Sequence, residues 1–210
     1  MEDFFKFDIN KFVAPAQKFF EVWTDEIIEE LKKQSESVEN FTNIVLKADR
    51  IFLSAKGRSG LVISYTGIRL GHAGYEVFEV DHPLSPPIGR DKTKKDVLFI
   101  ISGSGKTPPV VYAAKIAKEN GIPVLVITSD GDSPLGKLAT EKIVTKSRTK
   151  DTMDVEWERI QLEGPKEPLS YLGSESEYKA FVISELIVNF LHKRRGVTED
   201  DAKNRHKNIE

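Results

Sequence analysis

The sequence predicts an α/β fold, a three-layer αβα sandwich around a five-stranded parallel sheet. Three observations carry this prediction. Five short runs rich in β-branched, aromatic and aliphatic residues recur along the chain, at Arg50–Ser54, Tyr75–Val80, Val97–Ser102, Pro123–Thr128 and Lys142–Thr145. Segments with helical periodicity alternate with them, a spacing that suits right-handed βαβ crossovers. Glycines punctuate the exits, most clearly behind Val97-Leu98-Phe99-Ile100-Ile101, where Ser102-Gly103-Ser104-Gly105-Lys106-Thr107 follows directly.

The elements follow in order. Residues 1–14 show no clear period, and Pro15 is placed to open a first helix. From Ala16 to Leu31, Phe19, Phe20, Trp23, Ile27, Ile28 and Leu31 recur at helical spacing. The early aromatics serve either the core or an oligomer face. A second helix runs from Glu36 to Ala48 on Phe41, Ile44, Val45 and Leu46. Gly57-Arg58-Ser59-Gly60 opens a helix reaching Gly71, and Thr107–Asn120 forms another, stopped by Gly121. Residues 146–170, with Gly164-Pro165-Lys166-Glu167-Pro168, read as a long, partly extended excursion. An apolar helix over Ser174–Lys193 ends at Gly196, and Thr198-Glu199-Asp200-Asp201 is a capping box opening a last helix to His206. The whole forms one domain, 1–210. Its N-terminal helices (16–48) and C-terminal helices (174–208) pack on the core or on neighbouring subunits.

Composition narrows the function. The chain has 210 residues, enough for one such domain with a sizeable core. A net charge of −2 argues against nucleic acid as partner. No apolar run approaches the ~20 residues of a membrane span. Met1-Glu2-Asp3-Phe4-Phe5 carries acids where a signal peptide needs bases. Together with the absence of cysteine, this points to the cytoplasm and removes thiol chemistry. No cluster has metal-ligand spacing.

Ser102–Thr107 has the chemistry of a phosphate site. Two glycines turn the chain from a buried strand into a helix, gathering backbone N–H groups and small hydroxyls where an anion is favoured. Two nucleotide loops are excluded. A Walker loop would need glycine at Ile100, and a dinucleotide fingerprint would need it at Pro108. Hydroxyls at Ser102, Ser104 and Thr107 suit a small phosphate monoester.

Three strand-exit loops thus carry chemistry: Lys56–Gly60, Ser102–Thr107 and Thr128–Ser133. Gly57-Arg58-Ser59-Gly60, the Ser102–Thr107 loop and Thr128-Ser129-x-x-Asp132-Ser133-Pro134-Leu135 resemble the sugar isomerase (SIS) domain family, whose fold is flavodoxin-like. Within it the chain is most similar to the 6-phospho-3-hexuloisomerases, through Arg69-Leu70-x-His72-x-Gly74 and the tail Arg205-His206-Lys207-Asn208-Ile209-Glu210. The resemblance implies isomerisation between a 3-hexulose 6-phosphate and fructose 6-phosphate, without metal or cofactor. It further implies a homo-oligomer, expected to be a tetramer, with active sites at subunit interfaces. The family's catalytic acid maps onto Glu177 and its C-terminal histidine onto His206. The chain departs from the family at three places. Glu175 adds a second acid and Ser176 replaces an aromatic. Lys56 stands where a small residue is usual, and 146–170 is longer than expected.

Moving a carbonyl along a sugar means taking a proton from the adjacent carbon and returning it to its neighbour. Glu177 is the expected base, with Glu175 its competitor. His206 would shuttle the proton between the two oxygens, a task suited to imidazole. Arg58 or Lys56 would face sugar hydroxyls or phosphate. Gly57, Ser59, Ser102, Gly103, Ser104 and Thr107 would hold the phosphate. Of the other histidines, His72 is expected to be packed or oligomer-facing, His82 in a loop, and His192 solvated or at an interface. Two rivals remain: a family isomerase for another phosphosugar, and a non-catalytic phosphosugar sensor. The absence of a DNA-binding segment or second domain argues against the sensor.

Overall fold

The computed structural model describes residues 9–147 and 174–206. Most of the expected excursion therefore lies outside the described residues. Five parallel strands form one sheet: β1 (Arg50–Ser54), β2 (Glu76–Glu79), β3 (Asp96–Ile101), β4 (Val124–Thr128) and β5 (Glu141–Val144), in the order β2-β1-β3-β4-β5. The register pairs Arg50 with both Glu76 and Asp96, Leu98 with Val124, and Leu125 with Glu141.

Seven helices accompany the strands among the described residues: α1 (Ile9–Lys33), α2 (Ser35–Leu46), α3 (Arg58–His72), α4 (Pro108–Glu119), α5 (Pro134–Leu138), α6 (Ser174–Arg194) and α7 (Glu199–Arg205). Side chains alternate across each strand, so the central strands feed two cores. Ile51, Leu53, Val97, Phe99, Ile101, Leu125 and Ile127 meet Phe41 and Val45 of α2 and Ile183, Ile187 and Leu191 of α6. Phe52, Leu98, Ile100, Val124 and Val126 meet Val110, Ala114 and Ala117 of α4 and Leu135 of α5. The architecture is the expected three-layer sandwich.

Two local expectations change. The first helix begins at Ile9, so Pro15 lies inside it. An interior proline lacks the N–H for one helical hydrogen bond and crowds the carbonyl four residues back, yet the helix continues past it to Lys33. The short helix α5 was not expected. Ser133 caps it by accepting the Gly136 N–H at 3.1 Å, with Pro134 preset at the first helical position. The capping box at Thr198 forms as expected: its N–H donates to Asp201 Oδ2 at 2.9 Å and its hydroxyl accepts the Asp201 N–H at 3.1 Å.

The lower rim of the sheet is fixed by a buried ion pair. Arg50 donates to both carboxylate oxygens of Asp96, at 2.7 and 2.8 Å, and Asp96 also accepts the Gly89 N–H at 2.6 Å. This leaves the upper, carboxyl-end rim for ligand chemistry.

Candidate active site

The chain runs outward from β1 to β2 and then returns to place β3 on the other side of β1. Strand order therefore switches between β1 and β3, and in open parallel sheets the loops leaving such strands border a crevice. Open parallel sheets bind ligands at such a point. Gly57–Gly60 and Ser102–Thr107 flank it.

In the first loop Gly57 has φ of +62° and ψ of −138°, a conformation reserved for glycine, and starts α3 directly behind β1. Arg58 is the first residue of that helix and Ser59 is buried beside it. In the second loop Gly105 has φ of +62°. A side chain there would place its Cβ 2.1 Å from Ser133 Oγ. Gly103 and Gly105 turn their carbonyls to the third loop, accepting the N–H groups of Ser129 (2.9 Å) and Leu135 (3.1 Å). Among the described residues the N–H groups of Gly103, Ser104, Gly105 and Thr107 donate to no protein acceptor. Nor do the hydroxyls of Ser59, Ser102 and Thr107 hydrogen-bond to any described residue. Ser104 Oγ weakly accepts the Lys106 N–H at 3.4 Å. Pro108 and Pro109 deprive α4 of its first two N–H groups. The donors left over for a ligand here are therefore the loop's own amides and hydroxyls, not the helix end.

Glu177 reaches this crevice from the first turn of α6. Its side chain is 18% exposed, and Oε2 lies 3.1 Å from Arg58 Nη2. That oxygen accepts no aligned hydrogen bond among the described residues, so charge alone holds the pair. Glu175, two positions earlier, points about 160° round the helix from Glu177 and pairs with Lys179 at 3.1 Å. Lys56 pairs with Asp81 of the β2 exit, and that hydrogen bond holds the Asp81 carboxyl below its usual range. Of the two cations expected to face the ligand, Arg58 meets Glu177 and Lys56 is engaged at the rim.

His206 is the departure. It caps α7 and stacks on His72, ring centroids 5.1 Å apart, while Arg205 donates to the His72 carbonyl at 3.0 Å. His72 closes α3, the helix that Arg58 opens, and the intervening 14 steps span about 21 Å. Within one chain His206 thus lies at the opposite end of α3 from Glu177. The last helix meets the C-terminal end of α3, through Arg205 and His206. Sequence reasoning also missed Lys179, which is fully buried. Its only signal was a cation on the apolar stripe formed by Ala180, Ile183 and Ile187.

Of the remaining residues, His82 accepts the Leu84 N–H at 3.2 Å in an exposed loop, and His192 Nδ1 lies 2.9 Å from the Val188 carbonyl. Trp23 is core, against Tyr178 at 5.1 Å, whereas Phe20 is exposed. Among the described residues no helix is long and apolar enough to cross a membrane.

Comparison with known proteins decides the family. The SIS domain profile matches residues 44–155, more than half the chain. The chain belongs to the SIS domain family. A 3-hexulose-6-phosphate isomerase of Mycobacterium gastri is 30% identical over 179 residues, covering 85% of this chain and 83% of that one. An uncharacterised protein of Archaeoglobus fulgidus is 33% identical over 175 residues, covering 83% and 88%. Among solved SIS folds, a Methanococcus jannaschii protein for which a 3-hexulose-6-phosphate isomerase function was inferred superposes with a TM-score of 0.70. It is 22% identical, covering 92% of this chain and 99% of that one. The matched region includes Gly57–Gly60 and Ser102–Thr107, while Glu177 lies beyond it.

Proposed function

We propose that this SIS protein is a phosphosugar isomerase that interconverts 3-hexulose 6-phosphate and fructose 6-phosphate. One observation carries the reading: α6 brings the carboxylate of Glu177 to Arg58, which opens α3 behind β1, the strand next to the one that leads into the hydroxyl-rich loop. The similarity to enzymes named 3-hexulose-6-phosphate isomerase supports the choice of sugar.

The phosphate sits on the free amides of residues 103–105 and 107 and on the hydroxyls of Ser59, Ser102, Ser104 and Thr107. This fixes the sugar chain in the crevice. Glu177 removes the proton from C2, and the C–H electrons form the C2–C3 double bond of an enediolate as the C3 carbonyl becomes an oxyanion. A proton passes between O3 and O2, and Glu177 returns its proton to C3, leaving the carbonyl at C2. The composition of the sugar is unchanged. Arg58 stabilises the oxyanion and holds Glu177 in line. His206 serves as the oxygen-to-oxygen shuttle from a neighbouring copy, because its own chain holds it at the far end of α3. A homotetramer with shared sites accommodates this arrangement.

Incubating the protein with fructose 6-phosphate in D2O and following the sugar by NMR tests the reading. Carbonyl migration with deuterium entering at C2 or C3 is expected. Glu177→Gln should bind phosphosugar nearly as well and turn over roughly 10²-fold slower. Inertness with this sugar but turnover of another would replace the substrate. Tight binding with no turnover of any phosphosugar would replace the enzyme with a sensor.

A further inference from the structure

Lys179 is the one fully buried cationic side chain among the described residues, two positions from Glu177. Its ammonium lies 2.7 Å from Glu26, 3.1 Å from Glu175 and 3.3 Å from Glu30, and donates to the Lys146 carbonyl at 3.3 Å. Glu30 in turn accepts the Lys146 N–H at 2.9 Å. Just past the end of α1, Gln34 donates to the Val144 carbonyl (2.7 Å) and accepts the Val144 N–H (2.8 Å), pairing with edge strand β5 much as another strand would. Tyr178 packs on Trp23. The C-terminal half of α1, the exit of β5 and the first turn of α6 are thereby joined at a single ammonium.

We propose that Lys179 is a positioning residue. By gathering Glu26, Glu30 and Glu175 it locks the first turn of α6, withholds Glu175, and presents Glu177 alone to Arg58. The proposal rests on the reading of Glu177 as the base. Its physical ground is the arrangement of the two acids, which lie on opposed sides of one helical turn. Unwinding or twisting that turn would carry Glu177 off Arg58, and the i,i+4 pair between Glu175 and Lys179 resists it. Burial alone would push the Lys179 ammonium down, but hydrogen bonds to Glu26 and Glu175 outweigh it and hold the group protonated. Three carboxylates around one ammonium also explain why the cation is needed: without it, like charges crowd the turn.

Steady-state kinetics and thermal unfolding of Lys179→Met, Glu175→Gln and Glu177→Gln test this, using a phosphosugar that the wild type converts. Lys179→Met is expected to lose roughly 10²-fold in kcat while KM stays within about threefold, since the acid is misplaced and the phosphate cradle is untouched. Folded Lys179→Met with wild-type kcat overturns the proposal. If Lys179→Met does not fold, Glu175→Gln decides, because it leaves Lys179 paired with Glu26 and Glu30. A loss in kcat at unchanged KM supports the lock, and wild-type kcat overturns it. Glu177→Gln that still turns over would instead bring down the base assignment, whatever Lys179 does.

Discussion

Gly105→Ala offers the sharpest test of how the phosphate loop is held. Gly105 sits at φ +62°, and a Cβ there would lie 2.1 Å from Ser133 Oγ and 2.7 Å from Ser133 Cβ. Left-handed backbone costs an ordinary residue about 1–2 kcal/mol, and forcing atoms into a packed site adds about 1–3 kcal/mol. Ser133 cannot yield freely, because it caps α5 and donates to the Asp130 carbonyl at 2.6 Å. Summing these, Gly105→Ala should destabilise the protein by about 2–5 kcal/mol. Removing the obstruction separates the two contributions. Ser133→Gly retains an acceptable cap residue, and in that background the nearest remaining atom is Thr128 Oγ1 at 3.3 Å. Gly105→Ala should then cost only the backbone strain. Urea unfolding of the two single variants and the double variant closes the cycle, with an expected coupling of about 1–3 kcal/mol. Additivity within about 0.5 kcal/mol would refute the clash. Phosphosugar affinity, measured by calorimetry on the folded fraction, should fall in Gly105→Ala and partly recover in the double variant.

Asp96→Ala strands the Arg50 guanidinium and the Gly89 N–H in the protein interior. Urea unfolding should show a loss of about 3–5 kcal/mol, against little change for an exposed acid. His72 predicts a pH effect. Burial first, then His206, Arg69 and His192, hold its pKa below the ordinary value. The folded state therefore resists protonating it, and the unfolded chain binds the extra proton first. Stability attached to this group is complete above the unfolded value near pH 6.5 and declines as pH falls from there through the folded pKa. Thermal unfolding between about pH 7.5 and 5.5 should show the wild type losing more stability than His72→Gln.

Most of the fold is legible because its signals are local. Val97–Ile101 is apolar at every position, so it can only be buried on both faces, and the structure divides those residues between two cores. The Thr198 capping box is a contact across three residues, and it forms as written. Ser133-Pro134 carries an equally local signal for α5 in its cap and preset φ, although the segment is only one turn and a half long. The site is less legible. Ser102–Thr107 announces an anion cradle through its hydroxyls and glycines. Nothing in the sequence separates Glu175 from Glu177, two acids in one turn, and nothing pairs Lys179 with Glu26, 153 positions away.

By itself the sequence determined the layers and the strands, since periodicity and turn chemistry act over a few residues. Only the tertiary structure decided which acid meets Arg58, that Lys56 is taken by Asp81, and that His206 lies far from Glu177 in its own chain. Those outcomes depend on helices distant in sequence converging at the sheet's rim. There, packing geometry selects among chemically equivalent side chains.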